Sequence, residues 1–224
     1  MSGFVKALCA GCLSAVLLAA MPATATTITM YFAGTIDASQ PMSTPALDAA
    51  IPGGTVFQGS FSYEAPGSPI AFIPGFENFF FSPTDPTQVT VGAYAFSAPG
   101  NYTLLYDFGG GNQNFTTGTN GTVSGTAPAG LTLGGFDAAE LTAPGIISGI
   151  TALPTTVPDL SIVPFPQFVM FFRDDANNDI RLYGTLSYLG LTAPPQTTVP
   201  EPAMVGLFGI GLVAFGMLRR KTAV

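Results

Sequence analysis

Thr27-Ile-Thr-Met-Tyr-Phe-Ala-Gly-Thr-Ile36 alternates strictly: Ile28, Met30, Phe32, Gly34 and Ile36 share one face, and Thr27, Thr29, Tyr31, Ala33 and Thr35 the other. Successive side chains of an extended chain point to opposite sides, so a period of two marks a half-buried strand. The pattern returns at once. Phe57, Gly59, Phe61 and Tyr63 alternate with Gln58, Ser60, Ser62 and Glu64. Gln88 to Phe96 and Tyr102 to Phe108 read as further strands, and Phe168 to Phe172 is an apolar run suited to a strand covered on both faces. In the last strand Ile180, Leu182, Leu186 and Tyr188 fall on one face.

Turn clusters separate these runs: Pro52-Gly53-Gly54, Ala65-Pro66-Gly67, Pro99-Gly100-Asn101, Gly109 to Asn112, and Asp174 to Asp179. No long amphipathic helical window is present; Ala46 to Ala50 and Ala138 to Leu141 could each hold one turn of helix. Many short strands joined by Gly/Pro turns predict an all-β domain, an antiparallel β-sandwich of jelly-roll-like or related type. Phe76, Phe79, Phe80 and Phe81 are expected to fill its core.

Composition narrows the chemistry. The chain has 224 residues, 47% hydrophobic and 8% charged, with no His, no Trp and a formal net charge of −7. Without His there is no His general base, no Ser-His-Asp triad and no His-ligated zinc. The negative charge argues against a nucleic-acid partner. Within residues 26–198 twelve acids face only Arg173 and Arg181.

Both ends read as addresses. Lys6 precedes the uncharged apolar run Ala7 to Ala20, Met21-Pro22 breaks the helix, and Ala23 and Ala25 supply a small-x-small cleavage pattern. Residues 1–25 are therefore predicted to be a secretory signal helix that is removed. Cys9 and Cys12 are the two cysteines of the chain and leave with it, so no disulfide framework is expected. At the other end, Ala203 to Leu218 is uncharged and Arg219-Arg220-Lys221 follows as a basic stop. As a transmembrane helix this span would be about 24 Å long, with the basic cluster on the cytoplasmic side. Val199-Pro200-Glu201-Pro202 stands just before it and must stay extended, since proline lacks an N–H and restricts the residue preceding it. Residues 192–198 form a Pro/Thr linker.

Val199-Pro200-Glu201-Pro202, the Gly/Leu-rich span and Arg219-Arg220-Lys221, in that order, resemble a PEP-CTERM sorting domain over residues 199–224. The resemblance implies an exported protein that is membrane-anchored before processing and then placed at the cell surface or outside the cell. It also implies an exosortase-type processing enzyme as partner and an association with extracellular polysaccharide or biofilm. The expected organisation is signal peptide 1–25, β-sandwich 26–191, linker 192–198 and sorting tail 199–224.

The middle of the chain offers little catalytic chemistry. Asp175, Asn177 and Asp179 match the opening of a D-x-[DN]-x-[DN] calcium loop. Ile180 stands where that loop needs Gly, and Leu186 where it needs a bidentate Glu, so an EF-hand is excluded. What remains is a candidate loose calcium site at a hairpin tip, against the alternative of a solvated turn. Nothing pairs any two carboxylates for glycoside hydrolysis. Asn101, Asn114 and Asn120 each open an Asn-x-Thr acceptor pattern. The sequence thus reads as a non-enzymatic surface or matrix protein of structural or adhesive type with no obligatory cofactor. A glycan- or calcium-binding surface module is the alternative.

Overall fold

The computed structural model describes residues 25–38, 42–65, 67–69, 71–73 and 77–194. In chain order the elements are β1 (Thr26–Ile36), a short helix α1 (Pro45–Ala50), β2 (Val56–Ala65), β3 (Ala71–Ile73), β4 (Glu77–Ser82), β5 (Thr87–Val91) and β6 (Tyr94–Ala98). They continue with β7 (Gly100–Asp107), β8 (Asn112–Asn120), β9 (Ser124–Gly125), β10 (Leu131–Pro144), a 3-10 turn at Leu160–Ile162, β11 (Gln167–Asp174) and β12 (Asp179–Gly190). Contacts divide the chain into two units, one ending at Ala193 and the other beginning at Pro194.

The all-β expectation holds, but the two-sheet sandwich does not form. All twelve strands join one sheet in the order β3-β4-β7-β8-β10-β11-β12-β1-β2-β5-β6-β9, antiparallel at every pairing. The long strands β1, β10 and β12 are paired on both sides, so the ladder runs on without the break that would separate two sheets. Instead the sheet curls, and its inner face supplies the core. Phe61 of β2 reaches Phe115 of β8 at 6.5 Å between ring centroids, although β10, β11, β12 and β1 lie between them in the sheet. The buried Asn101 side chain on β7 donates to the Ser62 carbonyl of β2 across the same hollow.

The alternation read in β1 and β2 is what lines this hollow. Met30, Phe32, Ile36, Phe57, Phe61 and Tyr63 are all buried. Phe57 stacks on Phe168 of β11 at 4.2 Å, and Phe168 lies 6.0 Å from Phe32 and 6.2 Å from Phe136. Each such ring contributes about 1.5–3 kcal/mol through burial. The rings need space on neighbouring strands: a Cβ on Gly34 or on Gly184 would come within 2.6 Å of the Phe57 ring. Tyr63 keeps its hydroxyl satisfied inside by donating to the Pro154 carbonyl at 2.8 Å, while burial pushes its phenol well above the usual range.

Several local readings are corrected. Gln88 to Phe96 is not one strand but the β5–β6 hairpin, because Gly92 takes φ 57° and turns the chain. Ala138 to Leu141 is strand, not helix, with a bulge between Asp137 and Glu140 that leaves Ala138, Ala139 and Leu141 all buried. Ala46 to Ala50 does lie in α1, whose first turn is capped by the Thr44 hydroxyl accepting from Leu47 N. Of the phenylalanines at 79–81 only Phe80 enters the core; Phe79 is half-buried and Phe81 exposed on the other face, and Phe76 lies outside the described residues. Tyr188 also leaves the core row, since the register between β1 and β12 shifts at Ala33/Gly34.

Candidate functional site

Strand β10 forks away from β8 beyond Asp137. The pairing of the two runs from Pro144↔Asn112 to Asp137↔Gly118 and stops, and residues 131–136 of β10 then pair with β11 alone. Phe136 N, left without a ladder partner toward β8, donates instead to the Thr119 hydroxyl at 3.1 Å. The fork opens a groove of about 560 Å³ whose walls come from β7, β8, β10, β11 and β12.

Alternation decides which side chains enter it. On β10, β11 and β12 the residues Phe136, Phe172 and Leu182 point into the core, so Asp137, Phe171 and Arg181 stand on the opposite face. Tyr102 of β7, Gly118 of β8 and Asp137 of β10 are direct partners across the sheet. The Tyr102 hydroxyl passes over Gly118 and donates to Asp137 Oδ1 at 2.6 Å. Tyr102 in turn stacks on Phe79 at 5.3 Å, which extends the site into an aromatic strip ending at Phe81, 4.6 Å from Phe79.

Electrostatically the groove is mixed. Burial pushes the Asp137 carboxyl up to about 6; the Tyr102 hydrogen bond opposes that rise, Glu140 adds to it and Arg181 weakly opposes it. Tyr102 is driven far above the usual phenol range, first by burial and then by the Asp137 charge. The Arg181 guanidinium lies over the Phe171 ring, 5.4 Å from its centroid, and its buried Nε makes no hydrogen bond. At the rim Arg173 Nε meets Asp179 Oδ1 at 3.3 Å, an exposed ion pair of little energetic weight. Arg173 and Arg181 are the two cations of residues 26–198, and both line this groove.

The calcium-type triplet is placed differently from its motif. Asp175, Asn177 and Asp179 do sit at the β11–β12 hairpin tip, but the residue that organises the turn is Asp174, whose carboxylate accepts from Asn178 N and Nδ2 at 2.8 Å each. Asn177 takes φ 62°, a turn geometry that asparagine tolerates. Asp179 is engaged by Arg173. Among the described residues no three His, Cys, Asp or Glu side chains gather where they could hold a metal ion. Of the Asn-x-Thr positions, Asn101 and Asn114 are buried and Asn120 half-buried.

The addresses at the two ends fall elsewhere. Ala25 immediately precedes β1, while Ala23 and the rest of the predicted signal segment lie outside the described residues. So do Val199, Pro200, Glu201, Pro202, the span 203–218 and Arg219, Arg220 and Lys221. The boundary between the two contact units, Ala193/Pro194, falls inside the predicted linker. Among the described residues no helix is long and apolar enough to cross a membrane. The tail is recognised by its sequence: residues 198–221 match the family model of the PEP-CTERM protein-sorting motif.

The chain carries a PEP-CTERM protein-sorting motif. A PEP-CTERM tail implies processing by an exosortase, a membrane enzyme, and hence export, anchoring before cleavage and then display at the cell surface. No curated protein and no solved structure matches the chain, so the PEP-CTERM assignment speaks for the tail, and the β domain must be read from its own geometry. There, sequence reasoning missed Tyr102, Asp137 and Arg181. The available signal was charge scarcity: Asp137 interrupts the otherwise uncharged run Leu131 to Ala139, and Arg181 is one of two basic residues in the domain.

Proposed function

We propose that this PEP-CTERM protein is a non-enzymatic component of the cell envelope or extracellular matrix, of structural or adhesive type. The observation that carries the reading is the sorting motif at residues 198–221, which supports exosortase-dependent delivery to the envelope. The β domain is consistent with a passive role: its aromatic side chains are spent largely on a continuous core, and no His or retained Cys supplies a nucleophile or a base. Val199 to Pro202 would be read by the processing enzyme, the span 203–218 would hold the chain during transit, and Arg219 to Lys221 would stop transfer.

Replacing Pro200, Glu201 and Pro202 together by alanine tests the sorting step. Full-length chain should accumulate in the membrane fraction, and release of a normally processed product would refute the reading. Deleting the gene and imaging the surrounding matrix tests the role, with altered matrix texture or cohesion expected. A second reading, a glycan-binding surface module, is favoured by the open groove at Asp137 and its aromatic strip.

A further inference from the structure

We infer that the groove at the β8–β10 fork binds a carboxylate-bearing saccharide, with Arg181 taking the carboxylate and Asp137 and Phe171 the sugar itself. The inference rests on the glycan-binding reading above and adds to it a charge class and a residue for each part of the ligand.

Three observations converge. First, the domain has two cations in residues 26–198, and both stand in this groove, on neighbouring strands, while twelve acids surround them in the sequence. Arg173 is occupied by Asp179, but Arg181 is not paired with a carboxylate among the described residues, and its Nε is buried without a partner. The Nε itself is covered, so a ligand in the groove meets the half-buried guanidinium through its terminal nitrogens, and a planar carboxylate matches that pair in the geometry arginine favours.

Second, the same groove holds acceptors. Asp137 has Oδ1 engaged by Tyr102, and its other oxygen is left to accept from a ligand hydroxyl. A simple anion such as phosphate, or the side chain of an acidic peptide, would gain nothing from a carboxylate beside the arginine and would be repelled by it. A molecule carrying both an anionic group and hydroxyl donors uses both. Third, the Phe171 ring lies beside these groups, and the apolar C–H face of a pyranose packs on such a ring. About 560 Å³ is the size of a site for one or two sugar rings.

Full-length protein purified in detergent should therefore bind trigalacturonate in calorimetric titration, and should bind its methyl ester, the same skeleton without charge, at least tenfold more weakly. Arg181→Gln should weaken trigalacturonate at least tenfold, and Phe171→Leu severalfold, each retaining the circular dichroism spectrum of the parent. Equal affinity for acid and ester, or an Arg181→Gln protein that binds as the parent does, would overturn the inference. So would equal binding of a tri-aspartate peptide, which would show that charge alone is read. Equal binding of acid and ester would overturn the charge assignment and leave the glycan-binding reading standing, whereas binding of neither would overturn both; the sorting experiment is independent of either result.

Discussion

The hydroxyl of Tyr102 and the carboxylate of Asp137, on strands that are not neighbours, are joined by a 2.6 Å hydrogen bond that crosses over Gly118. The strand between them contributes a glycine at the crossing point, and its missing side chain is what lets the two meet. An added Cβ would collide with Asp137 Oδ1 and press to 2.9 Å from the Tyr102 hydroxyl. Asp137 would then be held in a low-dielectric site without its donor, or be forced out of it.

Gly118→Ala is accordingly expected to destabilise the domain by about 1–3 kcal/mol, the range for overpacking a tight site. Urea unfolding followed by tyrosine fluorescence measures it. The companion variant Tyr102→Phe removes the hydroxyl and leaves the space, so it isolates the hydrogen bond from the steric clash. A Gly118→Ala midpoint equal to that of the parent would show that the crossing is not constrained.

Asp137 also sets a pH dependence. Its folded-state value of about 6 lies above the model-peptide 3.8, so between those values the folded chain holds a proton that the unfolded chain has lost. The contribution is fully present below about pH 4 and drains away as pH rises through 6, on the order of 3 kcal/mol across the window. The groups acting on it are Tyr102 from β7, Glu140 on its own strand and Arg181 from β12. Asp159 and Asp174, which lie below the ordinary carboxylate value, contribute in the opposite sense. The clean measurement is thus the difference between parent and Asp137→Asn in denaturant titrations from pH 4 to pH 7.5. The parent should lose stability relative to the variant as pH rises, and parallel curves would contradict the shift.

Strand identity was readable from the sequence because it is local: the faces of β1 and β2 are written in ten consecutive residues. Sheet continuity was not, because it depends on pairings such as Phe32↔Leu189, which bring the first strand against the last. A sandwich and a curled single sheet impose the same alternation on each strand, and only those distant registers distinguish them. The groove was hidden for the same reason. Tyr102, Gly118, Asp137 and Arg181 come from four strands and form no motif, whereas the sorting tail is contiguous and was legible at once. The hairpin tip lies between these cases: the Asp/Asn cluster correctly marked a turn, but spacing alone chose Asp175 over Asp174.

That last distinction is testable. Asp174 accepts two hydrogen bonds from Asn178, which also draw its carboxyl below the ordinary range, while the turn is closed by Asn177 N donating to the Asp174 carbonyl at 2.9 Å. Asp174→Ala should therefore lower the melting temperature, and Asp175→Ala should leave it close to that of the parent. Melting each protein with and without millimolar calcium completes the test. A calcium-dependent rise in the parent that disappears in Asp175→Ala would replace the turn reading with a metal site.

Phe168 links rings from three other strands. Its ring touches Phe57 from β2, Phe32 from β1 and Phe136 from β10, so one side chain ties together strands on both sides of β11 and β12 across the curl. Truncation to alanine removes three ring contacts and leaves a cavity whose lining is held by continuous ladders and cannot collapse. Phe168→Ala should cost about 3–5 kcal/mol, and Phe168→Leu, which keeps much of the volume, clearly less. If the sheet owed its curvature to backbone pairing alone, the two variants would unfold at similar denaturant concentrations. A wide separation between them would instead identify the aromatic cluster as what holds the sheet curled.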